Sequence, residues 1–248
     1  MNKDTLLQQI DSLKTELDRY RQNDNQRIKE ALETEYTYES NRIEGNTLTL
    51  METELVIHKG LTISGKPLKD HLEAINHTHA LDFIKDLAKN KEPFTEPVLL
   101  DIHRLILRSI NDQYAGKYRD VQVLISGSEF VPPQPFLVPK QMEDYFRFYN
   151  EQKDSLHPVE LSAELHERLV TIHPFIDGNG RTARLIMNLI LIRNGYPIAI
   201  LKGDSETRLK YYKALETAQT GGNKTDFILL VADTVKQALE KYLGILRT

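Results

Sequence analysis

Between two strongly helical stretches of this 248-residue chain lies the segment His173-Pro174-Phe175-Ile176-Asp177-Gly178-Asn179-Gly180-Arg181-Thr182-Ala183-Arg184. One by one, its residue types suit phosphate chemistry. Gly178 and Gly180, beside Asn179, keep the backbone free of Cβ crowding just before a helix, so unpaired N–H groups can close around an anion. Arg181 and Arg184 fall in the first turn, three apart and on neighbouring faces. For a lone helix that placement is electrostatically wrong, because the N-terminal end is already the positive end of the dipole. A bound polyanion corrects it. Asp177 supplies one hard carboxylate ligand suited to Mg²⁺, with substrate phosphates completing the shell. His173 offers a base whose ordinary pKa near 6.5 lets it take a hydroxyl proton at neutral pH. Each residue alone has a plain structural use; their concentration in one interhelical loop points to function. The GxxxxGK[ST] and GxGxxG spacings are absent, and His166-Glu167 precedes His173 by seven residues, not the four of a zinc-binding HExxH.

The elements that must carry this loop read as mostly α. Glycine (12) and proline (10) are sparse while Leu, Ala, Glu, Lys and Gln are plentiful. Leu6, Ile10, Leu13, Leu17 and Tyr20 form a two-heptad seam on a helix starting near Asp4, and the helical pattern continues through Ala31 and Leu32 towards Ile43, ending at Gly45-Asn46. The seam is a candidate homodimer contact. Further helices are expected near 50–59, 67–89, 97–110, from 139 onward, 159–172, 181–193, 206–219 and 225–246. The period changes once. Val121, Val123 and Ile125 alternate with Gln122, Leu124 and Ser126, and Gly127-Ser128 then Glu129-Phe130-Val131 read as a hairpin with a type II′ turn. Pro132, Pro133 and Pro135 keep it small.

A net charge of −4 argues against a polyanion-binding surface, so nucleic acid is not an expected partner. No apolar run approaches the ~18 residues of a spanning helix. With no apolar leader at the start and no cysteine anywhere, a cytoplasmic protein without membrane contact is expected, and disulfide, thiolate-metal and thiol-nucleophile chemistry is excluded.

A second motif is Ser40-Asn41-Arg42-Ile43-Glu44-Gly45-Asn46. Ser40 and Glu44 share a helical face, and a carboxylate at the C-terminal, negative end of a helix is disfavoured unless a cation meets it. Glu44 and the arginine pair are natural partners, although a solvated Glu at a helix end is the simpler reading of these residues alone.

HPFIDGNGRTAR resembles the signature H-P-F-x-[D/E]-G-N-G-R-x-x-R of the Fic family at every fixed position, and the likeness extends over roughly Pro97 to Val235, including Asp101-Ile102-His103. It implies a Fic-type helical bundle with a small β-hairpin flap, and transfer of AMP from ATP to a Ser, Thr or Tyr hydroxyl of a target protein. In that likeness His173 is the base and Asp177 holds Mg²⁺. Gly178, Asn179 and Gly180 form the anion hole, Arg181 assists the phosphates and Arg184 grips the γ-phosphate. GNGR, where related kinase-type toxins have GNKR, favours nucleotidyl over phosphoryl transfer. Ser40-xxx-Glu44-Gly45-Asn46 resembles the family's inhibitory motif [S/T]-x-x-x-E-[G/N], in the class whose inhibitory helix precedes the core. It implies that Glu44 pairs with Arg184 and misaligns ATP. The hairpin carrying Val121, Val123 and Ile125 corresponds to the target-binding flap, where an extended segment adds as a strand. Tyr212 and Gln219 resemble adenine-pocket positions, with Gln219 where the family often has Asn. The expected division is an N-terminal helical region (1–96) with the inhibitory motif, a catalytic domain (97–235) and a C-terminal helix end (236–248). The rival readings are removal of AMP by water at the same site, and a nucleotide-binding regulatory module without turnover.

Overall fold

The computed structural model describes residues 2–20 and 26–247. Its helices are α1 (Lys3–Tyr20), α2 (Gln26–Ile43), α3 (Leu50–Lys59), α4 (Leu68–Lys89), α5 (Glu96–Leu107), α6 (Val138–Gln152), α7 (Pro158–Ile172), α8 (Asn179–Arg193), α9 (Ser205–Gly221) and α10 (Thr225–Leu246). The long N-terminal helix expected from the pattern is described as α1 and α2, and the part of that expectation falling on 21–25 lies outside the described residues.

Helix ends follow local chemistry. Thr49 and Glu52 form a capping box at the start of α3, and Gly60 closes it in the left-handed conformation at φ 63°. Gly45, at φ 93°, ends the turn after α2, as its position predicts. Helix α8 is the centre of the bundle. Twelve of its fifteen residues are buried, and α4, α5 and α7 pack around it. A helix covered on so many sides is apolar all round, apart from the polar groups it must satisfy. Asn188, buried in its middle, does so by bonding both the N–H and the C=O of Ala199, at 2.9 and 3.0 Å.

The N-terminal seam packs on α10 of the same chain, burying Leu6, Ile10 and Leu17, with Leu13 and Tyr20 half-covered. That apolar face is therefore already used within the chain and is not presented to a second copy. Among the described residues the main hydrophobic core runs from Leu6 to Leu243, and a smaller cluster of Leu48, Val56 and Ala74 seats α3 on α4. Among the described residues no helix is long and apolar enough to cross a membrane.

The expected hairpin needs correction. No strand ladder forms between 120 and 135. A turn does close at its tip, with Ser128 N–H donating to Ile125 C=O at 3.2 Å, but Gly127 (φ 79°) occupies the third turn position and not the first centre of a type II′ turn. Three prolines deprive the returning limb of donors. Side chains supply the bonds a ladder would have made: Gln122 reaches Pro132 C=O at 2.9 Å, and Arg119 reaches Val121 C=O at 3.0 Å and Pro133 C=O at 2.5 Å. The alternation persists only in part: Val123 and Ile125 are half-buried while Gln122, Leu124 and Ser126 are exposed, but Val121, expected on the inward set, is exposed as well.

Candidate active site at the start of helix 8

The chain turns sharply between α7 and α8. His173 closes α7 in the left-handed region (φ 50°, ψ 56°), and its N–H caps Leu169 C=O. For a residue with a Cβ this conformation costs roughly 1–2 kcal/mol, so the surroundings must hold it. Arg119 does so from the side, donating from Nε to His173 C=O at 2.8 Å, while its own N–H donates to Pro174 C=O at 2.9 Å. The imidazole Nδ1 lies 3.2 Å from Val170 C=O. A carbonyl can only accept, so Nδ1 carries the proton and Nε2 keeps its lone pair. Burial lowers the His173 pKa, with Arg119 adding to that and Glu44 and Asp177 opposing it; the net shift is downward, which keeps the ring neutral at pH 7.

Gly178 is the N-cap of α8 at φ 80°, and a Cβ there would press on Ile106 and His103. No side chain caps the helix, so the N–H groups of its first turn face the loop without a cap of their own. The Asn179 side chain turns inward: its Oδ1 accepts from Phe175 N–H at 3.0 Å and its Nδ2 donates to Phe175 C=O at 2.9 Å. Only the backbone of Asn179 is available to an anion. Beneath the loop, His103 stacks on Phe175 with 3.6 Å between ring centres. Its Nδ1 accepts from Gly116 N–H at 3.0 Å, so the proton sits on Nε2, which donates to Asp177 C=O at 3.0 Å.

The cationic pair is met from two directions. Arg181, 2% exposed, bonds Glu73 of α4 at 3.0 Å and Asp177 at 3.1 Å. Arg184, 1% exposed, bonds Glu44 at 2.6 Å, the Ser40 hydroxyl at 3.0 Å, the Ser40 C=O at 2.9 Å and the Tyr211 hydroxyl at 3.4 Å. Burial alone would lower the Arg184 pKa; the charge and hydrogen bond of Glu44, together with Tyr211 and Tyr36, outweigh this and raise it. Glu44 lies one residue past α2, and a Cβ placed on Gly180 would overlap its Oε1. The carboxylate thus sits against the first turn of α8, where an anion is favoured.

For Asp177, burial raises the pKa, but Arg181 and the Gly178 N–H more than compensate and hold it ionised, below the ordinary carboxylate range. Both of its hydrogen bonds use Oδ1, leaving Oδ2 with its lone pairs. Among the described residues no cluster of three or more metal-ligating side chains exists. A single carboxylate fits Mg²⁺, which is commonly bound by one or two carboxylates together with substrate phosphates.

Tyr212 and Gln219, expected near an adenine, lie on α9. The Tyr212 hydroxyl donates to Ile43 C=O at 3.2 Å, beside the Glu44 turn, with its ring exposed; Gln219 is half-buried a further two turns along. Three residues that act on the site escaped the sequence reading: Glu73, Arg119 and Tyr211. For Glu73 a signal existed. Asp70, Glu73, Asn76 and His77 recur at helical spacing on α4 and are all buried, so a polar stripe follows the core-facing period.

The helical bundle thus brings together an uncapped helix start, two buried arginines and a neutral histidine, a set whose chemistry suits a phosphate. The sequence profile of the Fic/DOC family matches residues 93–191. Protein adenylyltransferase fic-1 of Caenorhabditis elegans is 36% identical over 216 residues, which cover 86% of this chain and 42% of that protein. The structure of Fic-1 from C. elegans superposes with a TM-score of 0.84 at 32% identity, covering 97% of this chain and 71% of that one. A Fic domain containing signaling protein from Bacteroides thetaiotaomicron gives 0.77 at 32% identity over 99% of this chain and 95% of its own. The chain belongs to the Fic/DOC family. It spans less than half the length of the curated relative.

Proposed function

We propose that this chain is an autoinhibited protein adenylyltransferase, moving AMP from ATP to a hydroxyl of a target protein. One observation carries the reading: the Glu44 carboxylate is seated between Arg184 and the first turn of α8, on the spot that the helix dipole and the arginine prepare for a phosphate. In the reaction the target hydroxyl oxygen attacks the α-phosphorus and its proton passes to His173 Nε2. The bond from the α-phosphorus to the bridging oxygen breaks, and pyrophosphate leaves. Backbone N–H groups of Gly178, Asn179 and Gly180 receive the phosphate charge, Arg181 supports it, and Arg184 anchors the γ-phosphate once Glu44 withdraws. Mg²⁺, held by Asp177 and the phosphates, would supply charge neutralisation.

With Glu44 seated, Arg184 is withheld from the nucleotide, and a small misalignment of the α-phosphate suffices to stop attack. In the same reading the 119–135 segment receives the target, with Val121, Val123 and Ile125 alternating along it. Residues 1–96 form the regulatory arm, 97–235 the catalytic part and 236–248 the closing helix end. Label from [α-³²P]ATP on protein is expected from Glu44→Gly and absent from Glu44→Gly/His173→Ala. Label arising only from [γ-³²P]ATP contradicts nucleotidyl transfer, and loss of AMP from a modified protein that needs Glu44 favours the reverse reaction.

A further inference from the structure

Arg119 is 3% exposed, yet it forms no ion pair among the described residues. A buried guanidinium without a carboxylate is costly unless its donors are met. Three backbone carbonyls meet them, and they come from separate stretches of chain: His173 at 2.8 Å, Val121 at 3.0 Å and Pro133 at 2.5 Å. A fourth bond, from the Arg119 backbone N–H to Pro174 C=O at 2.9 Å, ties the same residue to the loop from behind. One planar fork therefore joins the outgoing limb of the 120–134 segment, the returning limb, and the backbone of the proposed base. No ladder does this work, since the returning limb carries Pro132, Pro133 and Pro135. The tip is held separately, by Glu216 of α9, which accepts from the Ser128 hydroxyl at 3.1 Å and from Glu129 N–H at 3.0 Å.

We infer that Arg119 is a positioning residue: it fixes the separation between the 120–134 segment and His173, and thereby the place at which a protein hydroxyl is presented to Nε2. The inference rests on the proposed role of that segment as the target-binding flap. Lysine cannot replace it, because a single ammonium on a flexible stem does not present a planar set of donors to three separated carbonyls. Methionine removes both the fork and the charge while keeping the stem's bulk. The two substitutions therefore separate geometry from charge.

The experiment compares full-length Glu44→Gly protein with its Arg119→Lys and Arg119→Met derivatives. Amide exchange is read at the flap base, at Arg119 and His173, whose N–H groups donate to Pro174 and Leu169 C=O at 2.9 Å, and across α8 as a fold control. Both derivatives are expected to speed flap exchange by at least about tenfold while α8 stays protected. NMR titration of the His173 ring is expected to move upward in Arg119→Met alone, because Arg119 lowers that pKa while Glu44, absent from this background, and Asp177 raise it. In self-labelling from [α-³²P]ATP, the rate is expected to fall about tenfold or more with the KM for ATP unchanged. Unchanged flap exchange in both derivatives overturns the inference, as does exchange that rises only in step with α8. If the Glu44→Gly parent transfers no AMP, the proposed function fails, while the exchange and titration results still decide the role of Arg119.

Discussion

Arg181 and Arg184 stand three residues apart on one helix, equally buried, and are neutralised in opposite ways. Glu73, whose side chain is 6% exposed, meets Arg181 from α4, inside the bundle. Glu44, 32% exposed, meets Arg184 from the turn after α2, at the edge of the site. The first counter-charge is walled in and has further ties, with Asn46 donating to Glu73 at 2.9 Å and Lys69 lying 3.6 Å away. The second is reachable by water and bonds one arginine. A helix start that carries two cations needs two anions. In the proposed function, one anion is permanent and the other removable, which would turn a stability requirement into a brake.

The largest expected effect comes from breaking the permanent pair. Glu73→Ala leaves Arg181 buried with only Asp177 as partner and should cost about 3–5 kcal/mol, lowering the melting temperature by roughly 10 °C. A calorimetric change near zero would mean that Arg181 is not held by Glu73. Acid should act on the same place more gradually. His77, behind both arginines, has its pKa pushed down to about 3, first by burial and then by Arg184 and Arg181; burial takes His103 to about 4. The folded state resists protonation at these rings while the unfolded chain accepts protons near pH 6.5. Stability is therefore complete above about pH 6.5 and falls as pH drops towards 4, at about 1.4 kcal/mol per pH unit for each ring. Denaturant midpoints taken across that window check the slope, and His77→Gln should remove one share of it. Removing the other counter-charge is milder: Glu44→Gly should cost only ~1 kcal/mol, because Ser40 and Tyr211 still bond Arg184 and water can replace the carboxylate. The smallest effect is geometric. In Gly180→Ala the new methyl enters the space of the Glu44 carboxylate and presses on Arg184, the same spot proposed for the phosphate, so it should not mimic removal of Glu44. In the Glu44→Gly background it should lower AMP transfer several-fold, and a rise would contradict the shared seat.

These two arginines also mark how far the sequence could be read. The helices were legible because apolar spacing and end chemistry agree: α3 and α10 occur at the residues expected, and α8 starts two residues early because Asn179 and Gly180 join its first turn. The site loop was legible because His173, Asp177 and the arginines are adjacent in sequence. Glu44 was legible through a second local motif. Tyr211 was not, since it reaches Arg184 through tertiary packing that no spacing rule encodes, and for Glu73 the polar stripe of α4 signals burial without saying that Arg181 is its partner. Arg119 was missed for the same reason. The segment it holds was misread as a ladder, because alternation reports which side chains turn inward and says nothing of whether a proline-rich partner limb has donors to offer.

If Glu44 is a removable anion standing in the nucleotide's place, the initial rate of AMP transfer from [α-³²P]ATP must differ between wild type and Glu44→Gly at matched ATP. A coupling of the usual size predicts a rise of about 5- to 150-fold on removing Glu44. Equal rates, or a slower rate for Glu44→Gly, would contradict it.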